Sequence, residues 1–549
     1  MNAPVTPDGP TRYRPIRGSA AAVVAGHPLA VAAGARILDR GGNAVDAAIA
    51  TAAAVGVVRP HMCGVAGDGF FLIRDAGARR VYALNAGGPA PAVLTLGHFP
   101  DGIPERGGLI SSVPGVLDGW AQAQSRFGTM PWADVLQPAI ELAEHGFPMY
   151  ESLAEWIRKY QAKYAANEAC AALLLPGGRV PVPGTLFRQP DLAGTLRHLA
   201  RHGARDFYDG ALAGIFARGL RDAGGVIEAA DLAAYHATWG EPLHAAYRGH
   251  TVYTPPPMSQ GWMLVQMLRV LDGVDLRGAG YGPARVRSLA GSIRAAFEDR
   301  DRWFGDPRFT GFALDRVLAE ARIAEIRRGL HAPAGAPVEE RAGDTTSLST
   351  VDARGNAVAM IQSLWTDCGV VIPGTGILAN GRLNSASARP DHPDVVAGGK
   401  TPAYTLHTYM VTRGDDLVLL GGTPGGHTQV QTNLQVLTNI LDFGFGPQQA
   451  VEAPRFLVGG ALHYDSLQAI FLEGRFSAEV PEALRRDGYR VTMLSDWAEL
   501  AVEGTSPVTT GSAKVIVIDP ATGTRALGVD PRREAYGFVS GSRASDRDA

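Results

Sequence analysis

The sequence has few cysteines, no long apolar run and little net charge. Three cysteines in 549 residues are too few for a disulfide framework, and their number is odd. The 51 basic residues are balanced by 54 acidic ones, with a formal net charge of -3. The sequence therefore has no excess of positive charge to hold a nucleic acid backbone, and nucleic acid binding is excluded.

Other signatures are missing as well. No histidine and cysteine cluster has metal-ligand spacing, so we expect neither a metal nor a cofactor. No run of eighteen apolar residues occurs, which argues against a transmembrane helix and a membrane partner. The first apolar segment follows a seventeen-residue, proline-containing stretch with many polar residues and is interrupted at Gly26-His27-Pro28, unlike a signal peptide. The default expectation is a cytoplasmic protein, and export by an unusual route stays open.

The remaining pattern is that of a mixed α and β protein. Alanine-rich segments, an apolar hairpin "GDGFFLIRD" and "RRVYALNAG", and a strand–turn–helix around "TPPPMSQG" indicate strands layered with helices. The length predicts two to four domains or one large layered domain. A charged, proline-containing stretch at His331–Gly343 is predicted to be an exposed linker, and strands follow it.

The segment "DTTSLSTVDARGNAVAM" predicts a hairpin with a hydroxyl pair. A three-residue loop ending in glycine joins its two strands. Pairing Asp352 with Asn356 places Thr345 opposite Ser363, and a bulge at Gly355 would shift this register by one residue. The sequence therefore brings two hydroxyl groups close together across the hairpin.

A threonine that becomes a new N-terminus carries a nucleophile and a base on one residue. Its α-amine, with a pKa of about 7.7 to 8.0, can accept the proton of its own hydroxyl. The Thr345 hydroxyl could first attack the carbonyl of Asp344 and release that amine. An ordinary strand start is the commoner origin of a D-T-T triplet, so this alone does not decide the matter.

A glycine-rich turn, "LLGGTPGGHTQ", leads from a strand into a helix. Its spacing matches neither nucleotide-binding loop, GxxxxGK[ST] or GxGxxG. The backbone N–H groups of Gly425 and Gly426 at a helix N-terminus would suit an oxyanion hole. A tight strand-to-helix turn without catalytic role is the alternative, and both interpretations stay open at this point.

Taken together and in this order, these segments resemble the γ-glutamyltranspeptidase family of N-terminal-nucleophile hydrolases. The resemblance extends over nearly the whole chain through "GGNAVDAA", "GVAGDGFF", "VPGVLDGW", "FYDG", "PPPMSQG", "DRDRWFGDP", "GTGILANG", "GGTPGGHTQVQ" and "AVEAPRF". It implies an α+β fold, a four-layer αββα sandwich. It also implies autocleavage between Asp344 and Thr345, into a large subunit (1–344) and a small catalytic subunit (345–549) that form one core. Further oligomerisation stays open.

The resemblance also implies the roles of individual residues. Thr345 would be the nucleophile, Ser363 the hydroxyl that bonds its α-amine, and Gly425 and Gly426 the oxyanion pair. The chemistry would be cleavage of a small-molecule amide through an acyl-enzyme, with the acyl group released to water or to an amine.

The family's substrate-binding residues are largely replaced in this sequence. Gly87 stands where the family has the arginine for the glutamyl α-carboxylate, and Ser385 where it has the aspartate for the α-amine. Losing one partner of such a charged pair typically costs about 2–5 kcal/mol. We therefore expect an acyl group other than γ-glutamyl. The candidate substrate-binding positions are Gly87, Trp365, Arg382, Ser385, Tyr404 and Thr405.

Two other functions remain as alternatives: a genuine γ-glutamyl hydrolase or transpeptidase, and an uncut inactive scaffold. Several residues also have two interpretations. Arg382 either binds a substrate carboxylate or forms a surface or subunit-interface ion pair, and Trp365 is either a pocket wall or core. His407 and His427 are expected to be structural, and Cys368 to be a packing residue.

Overall fold

Two seven-stranded antiparallel sheets lie at the centre of the computed structural model, which describes residues 11–330, 344–459, 467–497 and 510–541. The predicted linker at His331–Gly343 falls outside these residues. The strands are β1 Ile16–Gly18, β2 Ala22–Ala25, β3 Asp68–Asp75, β4 Arg80–Ala86, β5 Phe147–Pro148, β6 Leu186–Phe187, β7 Thr238–Gly240, β8 Leu243–Tyr247, β9 His250–Thr254, β10 Asp344–Val351, β11 Ala357–Trp365, β12 Asp367–Ile372, β13 Ile377–Asn380, β14 Thr408–Arg413, β15 Asp416–Gly422, β16 Phe456–Val458, β17 Ala469–Leu472, β18 Arg490–Met493, β19 Lys514–Ile518, β20 Arg525–Val529 and β21 Tyr536–Val539.

Helices connect and cover these strands. The α-helices are α1 Pro28–Asp39, α2 Ala44–Val58, α3 Val116–Phe127, α4 Trp132–His145, α5 Glu151–Lys159, α6 Gln161–Ala165, α7 Glu168–Leu174, α8 Pro190–His202, α9 Asp206–Asp209, α10 Ala211–Asp222, α11 Ala229–Ala233, α12 Gly261–Asp272, α13 Pro283–Trp303, α14 Leu314–Val317, α15 Glu320–Arg328, α16 Thr428–Leu441, α17 Pro447–Glu452 and α18 Glu479–Arg486. Short 3₁₀ helices span Leu96–His98, Gly108–Ile110, Pro176–Gly178 and Arg382–Ser385. Within the described ranges, no helix has the length and apolar character needed to cross a bilayer.

The two sheets stack face to face. One has the strand order β1-β20-β19-β15-β14-β9-β8 and the other β21-β2-β10-β11-β3-β4-β7. An apolar core lies between them, with Ala22 and Leu72 from the second sheet packed against Met410 and Leu420 from the first. Because side chains alternate along a strand, the neighbouring residues face outward to the helices.

The outer faces of both sheets are covered by helices. In β14, Tyr409 and Val411 pack against the cluster built from α12, α13 and α16. In β11, Val358 and Met360 pack against the cluster that contains α1, α2 and α4. The layers therefore run helix, sheet, sheet, helix, and the predicted αββα sandwich is confirmed.

The alanine-rich helix α2 is buried along its whole length. Asn43 caps its N-terminus and forms a capping box with Asp46, which explains the "GGNAVDAA" pattern. Helix α1 approaches α2 closely at Gly34, where an added Cβ would lie 2.2 Å from the Thr51 Oγ1. The small side chains of both helices thus allow α2 to lie flat on β10 and β11.

The β10–β11 hairpin has the predicted register. The pairs run from Val351–Ala357 to Thr346–Gln362, and the Asp352 N–H donates to the Asn356 carbonyl at 3.0 Å. The irregularity lies at the far end and not at the glycine of the loop. Between the pairs Asp344–Trp365 and Thr346–Gln362, Thr345 of β10 faces two residues of β11, Ser363 and Leu364. The predicted nucleophile therefore lies at a β-bulge of the second sheet.

Candidate functional site

The bulge brings the two predicted hydroxyl groups into contact. The Thr345 Oγ1 lies 3.3 Å from the Ser363 Oγ, and both side chains are fully buried. The Ser363 Oγ also accepts a hydrogen bond from the Trp365 N–H at 2.7 Å. This second bond fixes the serine rotamer, so the hydroxyl faces Thr345.

A third polar group, Gln429, was not predicted from the sequence. It lies in the first turn of α16, and its Nε2 is 3.5 Å from the Thr345 Oγ1. Its Oε1 accepts from the His407 N–H at 3.4 Å, which sets the orientation of the amide. The available signal was a polar residue in the first helical turn after the glycine-rich loop.

The glycine-rich loop between β15 and α16 has the backbone that only glycine adopts readily. The φ angles of Gly425 and Gly426 are +128° and +55°. The Gly425 carbonyl accepts from the Thr428 hydroxyl at 2.8 Å, which anchors the loop to the helix start. Because Gln429 of the same turn contacts Thr345, the partial positive charge of the helix N-terminus lies beside the predicted nucleophile.

A buried ion pair lies beside this hydroxyl cluster. The Arg382 Nε donates to the Asp68 Oδ2 at 2.9 Å, and both side chains have no solvent exposure. The expectation of a surface ion pair at Arg382 is therefore wrong, whereas an ion pair across the predicted subunit interface agrees with the structure, because Asp68 lies in residues 1–344 and Arg382 in residues 345–549. Burial raises the pKa of the Asp68 carboxyl, and the Arg382 guanidinium opposes that rise. The available signal for Asp68 was a lone carboxylate between two glycines at the start of a buried strand.

The ring of Tyr404 fills the space beside Gly87. A Cβ built on Gly87 would lie 2.6 Å from the Tyr404 Cε2. The Tyr404 hydroxyl lies 3.0 Å from the Asp68 Oδ1 and 2.8 Å from the Gly88 carbonyl oxygen, and donates to one of them at a time. The position at which the family resemblance places an arginine is thus closed by a buried aromatic ring.

Trp365 belongs to the core and also touches the site. It is fully buried and has a φ of +68°, which is uncommon for a side chain of this size. Its ring packs edge-on against His427 at a centroid distance of 5.7 Å. The Arg382 guanidinium carbon lies 5.2 Å from its ring centroid, so the tryptophan supports the guanidinium from one side.

A cavity of about 150 Å³ opens next to these groups. It is lined by three of the predicted substrate-binding residues, Ser385, Tyr404 and Thr405, whereas Gly87 and Arg382 are not part of its wall. The Ser385 hydroxyl donates to the Arg382 carbonyl at 2.8 Å. The other lining residues are Gln260, Arg300, Asp301, Phe304, Ala386, Ser387, Ala388, Arg389, His392, Asp394, Ala403 and His427.

The histidines and the cysteine near the site have structural surroundings. Burial lowers the pKa of His407 to about 4, and its Nε2 lies 2.9 Å from the Asn433 amide nitrogen, which donates to it. Burial, followed by the charges of Arg300 and Arg382, lowers the pKa of His427 well below its usual value. Burial raises the pKa of the Cys368 thiol to about 12, so it stays protonated.

The described residues contain no group of three or more histidine, cysteine, aspartate or glutamate side chains placed to hold a metal. Two hydroxyl groups, an amide donor and a helix N-terminus lie close together around Thr345. This combination suits acyl transfer.

Comparison with known proteins finds relatives that match most of the chain. A glutathione hydrolase-like YwrD proenzyme of Bacillus subtilis (strain 168) is 33% identical over 523 residues, 94% of this chain and 97% of that protein. An acylase ACY 1 proenzyme of Pseudomonas sp. (strain V22) is 36% identical over 521 residues, 89% of this chain and 91% of that protein. The crystal structure of cephalosporin acylase from Bacillus halodurans matches with a TM-score of 0.87 at 29% identity, covering 99% of this chain and 100% of that one.

The family model described as Gamma-glutamyltranspeptidase matches residues 30–539. The relatives are named as hydrolases, acylases and proenzymes, in agreement with the predicted enzyme class. The chain belongs to the gamma-glutamyltranspeptidase family.

Proposed function

We propose that this chain is a self-processing threonine amidohydrolase whose substrate is not a standard γ-glutamyl amide. It would cut its own chain between Asp344 and Thr345, leaving associated subunits of residues 1–344 and 345–549. Thr345 would then hydrolyse a small-molecule amide. The observation that carries the proposal is the 3.3 Å contact between the Thr345 and Ser363 hydroxyls in a buried β-bulge.

In the self-processing step, the Thr345 Oγ1 attacks the carbonyl carbon of Asp344. The peptide C–N bond breaks and an ester to Oγ1 forms, while the proton of the hydroxyl moves to the released nitrogen. Water then hydrolyses the ester and leaves a carboxylate on Asp344 and a free amine on Thr345. The bulge supports this step, because it takes the Thr345 peptide out of the regular strand ladder.

In turnover, the free α-amine accepts the Thr345 hydroxyl proton while Oγ1 attacks the amide carbonyl of the substrate. The amine of the substrate leaves with that proton, and its acyl group stays on Oγ1 until water releases it as an acid. The N–H groups of Gly425 and Gly426 would stabilise the oxyanion of each tetrahedral intermediate. The helix N-terminus that Gln429 places beside Thr345 supports this role.

The shape of the site argues against the usual substrate of the family. A γ-glutamyl head has an α-carboxylate and an α-amine, and each needs a counter-charge when buried. At Gly87 the space for an arginine holds the Tyr404 ring, and the hydroxyl of Ser385 is bonded to the Arg382 carbonyl. Acylases among the relatives fit a site whose acyl pocket has changed.

The nucleophile is tested with two neighbouring threonines. Thr345→Ala should abolish both cutting and amide hydrolysis, since no hydroxyl remains to attack the Asp344 carbonyl. Thr346→Ala is the matched control, because the buried Thr346 hydroxyl has no hydrogen-bond partner among the described residues. That variant should still yield two bands on a denaturing gel. Cutting in Thr345→Ala, or loss of cutting in both variants, would contradict the assignment.

The acyl preference is tested on the processed wild-type enzyme with anilides. Simple acyl anilides should be hydrolysed faster than a γ-glutamyl anilide at equal concentration. Robust γ-glutamyl turnover would overturn the substrate part of the proposal and leave the nucleophile untouched. One uncut, inactive band after prolonged incubation would indicate a scaffold instead of an enzyme.

A further inference from the structure

Gln429 is a buried amide held against the predicted nucleophile. It has no solvent exposure and lies in the first turn of α16. Its Nε2 is 3.5 Å from the Thr345 Oγ1, and its Oε1 accepts from the His407 backbone N–H at 3.4 Å. Both polar ends of the side chain therefore have a partner at this site, as a buried amide requires.

The His407 backbone decides which end of the amide faces Thr345. A backbone N–H can only donate, so the Gln429 atom beside it must be the carbonyl oxygen. The NH₂ end then faces the Thr345 hydroxyl. His407 is itself held in place, because its ring Nε2 accepts from the side-chain amide of Asn433, one turn further along α16. The donor beside Thr345 is thus oriented before any substrate binds.

The Thr345 Oγ1 has two neighbours with different roles. Its proton points to the Ser363 Oγ, 3.3 Å away, which also accepts from the Trp365 N–H. Gln429 offers only N–H groups on this side, so it must approach a lone pair of Oγ1. An amide nitrogen does not take up a proton at ordinary pH, and the hydroxyl proton is therefore left to a base. What Gln429 can stabilise is negative charge on the oxygen.

Negative charge forms on Oγ1 when its bond to the acyl carbon breaks. In the release step of the proposed reaction, water adds to the ester carbon and gives one proton to the α-amine of Thr345. The C–Oγ1 bond then breaks, its electron pair stays on Oγ1, and the ammonium returns the proton to that oxygen. The products are the free acid and the restored hydroxyl. Before that bond breaks, Oγ1 is an uncharged oxygen and the charge lies on the former carbonyl oxygen.

We propose that Gln429 is a catalytic residue that acts on the leaving oxygen: its Nε2–H stabilises the charge on the Thr345 Oγ1 as the acyl group departs. The proposal rests on the function proposed above and adds a residue to that reaction. The same bond serves the ester that self-processing forms with Asp344, because the same oxygen leaves. Such a contact is long in the unreacted site and shortens as charge builds on the oxygen. His407 and Asn433 act as positioning residues for the amide.

Two substrates with one acyl group separate the two half-reactions. With a simple acyl 4-nitroanilide that the wild type hydrolyses, kcat/KM reports formation of the acyl-enzyme. With the 4-nitrophenyl ester of the same acid, a burst of nitrophenol precedes a steady rate that reports release of the acyl group. Gln429→Met keeps the length of the side chain and cannot donate. In the processed enzyme it should lower the steady ester rate by about tenfold or more, and change the anilide kcat/KM by less than about threefold.

Gln435→Met is the matched control on the same helix. The Gln435 amide is buried and bonds to both backbone groups of Phe456, at 2.8 and 3.1 Å, instead of Thr345. This variant should keep the wild-type ratio of the ester rate to the anilide kcat/KM, and Thr345→Ala gives the background of ester hydrolysis. An equal fall of both quantities in Gln429→Met, no fall in either, or the same change of ratio in Gln435→Met would overturn the proposal.

Self-processing gives a second measurement that needs no substrate. If Oγ1 leaves slowly, part of the Gln429→Met chain should persist as the Thr345 ester. Neutral hydroxylamine splits an ester in the denatured chain and leaves ordinary peptide bonds intact, so the uncut band should yield pieces 1–344 and 345–549. Thr345→Ala cannot form the ester and should stay whole.

The two proposals fail in different ways. An uncut, inactive wild type would overturn the proposed function and the role of Gln429 with it. A wild type that cuts and turns over, with an uncut Gln429→Met chain that resists hydroxylamine, would overturn the role of Gln429 alone.

Discussion

A single added methyl group at Gly87 should destabilise the protein through Tyr404. The Cβ of Gly87→Ala would lie 2.6 Å from Cε2 and 2.9 Å from Cζ of the tyrosine, closer than real Cβ contacts allow. Tyr404 is 1% exposed, and its hydroxyl lies within hydrogen-bonding distance of Asp68 and the Gly88 carbonyl. The ring can therefore make room only by disturbing those bonds.

The expected size follows from two opposing terms. Overpacking a dense core costs about 1–3 kcal/mol. Replacing glycine with alanine recovers about 0.4–1 kcal/mol by restricting the unfolded chain. The net loss for Gly87→Ala is therefore about 1–2 kcal/mol, measured as a lower midpoint in urea unfolding. Gly64→Ala is the control, because an added Cβ there has no neighbour within 4 Å, and its midpoint should equal or slightly exceed that of the wild type.

A double-mutant cycle separates the ring from other causes. Tyr404→Ser removes the ring, so adding Gly87→Ala in that background should cost little more. Gly87→Arg should likewise be tolerated only with Tyr404→Ser. A neutral Gly87→Ala, or an equal loss in both backgrounds, would refute the argument that Tyr404 occupies the place of the family's arginine.

Two further predictions concern the hydroxyl pair and the cavity wall. Ser363→Ala should slow self-cutting by about a hundredfold in a gel time course. Ser363→Thr keeps a hydroxyl and should restore part of the rate. Equal cutting rates for the two variants would contradict a role for the hydroxyl. Burial raises the pKa of Asp394 from 3.8 to about 6. Ionisation of this carboxyl therefore opposes folding. The free energy of unfolding should fall by up to about 3 kcal/mol as the pH rises from 3.8 to about 6. Asp394→Asn should remove that fall in urea unfolding at each pH, and parallel profiles would contradict it. The comparison is made as a difference from wild type, because buried His407, with its pKa lowered to about 4, stabilises the fold increasingly as pH rises towards 6.5.

Local sequence signals predicted much of the fold. Alternation and a glycine-ended loop defined the β10–β11 hairpin, and the register that brings Thr345 opposite Ser363 follows from loop length alone. The helix after the glycine-rich loop is also a short-range feature. These elements were predictable because their stabilising contacts lie within a few residues of one another.

The rest of the site depends on contacts between distant parts of the chain. Asp68 and Arg382 are 314 positions apart, and Tyr404 reaches Asp68 across 336. No local sequence pattern links residues this far apart. The sequence therefore left two interpretations open for Arg382 and assigned no role to Asp68. Gln429 was missed for a related reason, since its contact with Thr345 spans 84 positions and requires both sheets to be stacked.

The strand order of the two sheets determines how the two subunits would stay associated after cutting at Asp344. Among the described residues, five ladders would then join the two pieces: β1–β20, β9–β14, β2–β21, β2–β10 and β3–β11. The pieces are interleaved, and neither holds a complete seven-stranded sheet of its own. The covalent link would matter once, during folding, by keeping both halves at high effective concentration. After cutting, the two subunits would stay associated because unfolding is slow, and not because two separately folded surfaces bind each other. Separately produced subunits should therefore not reassemble into the enzyme.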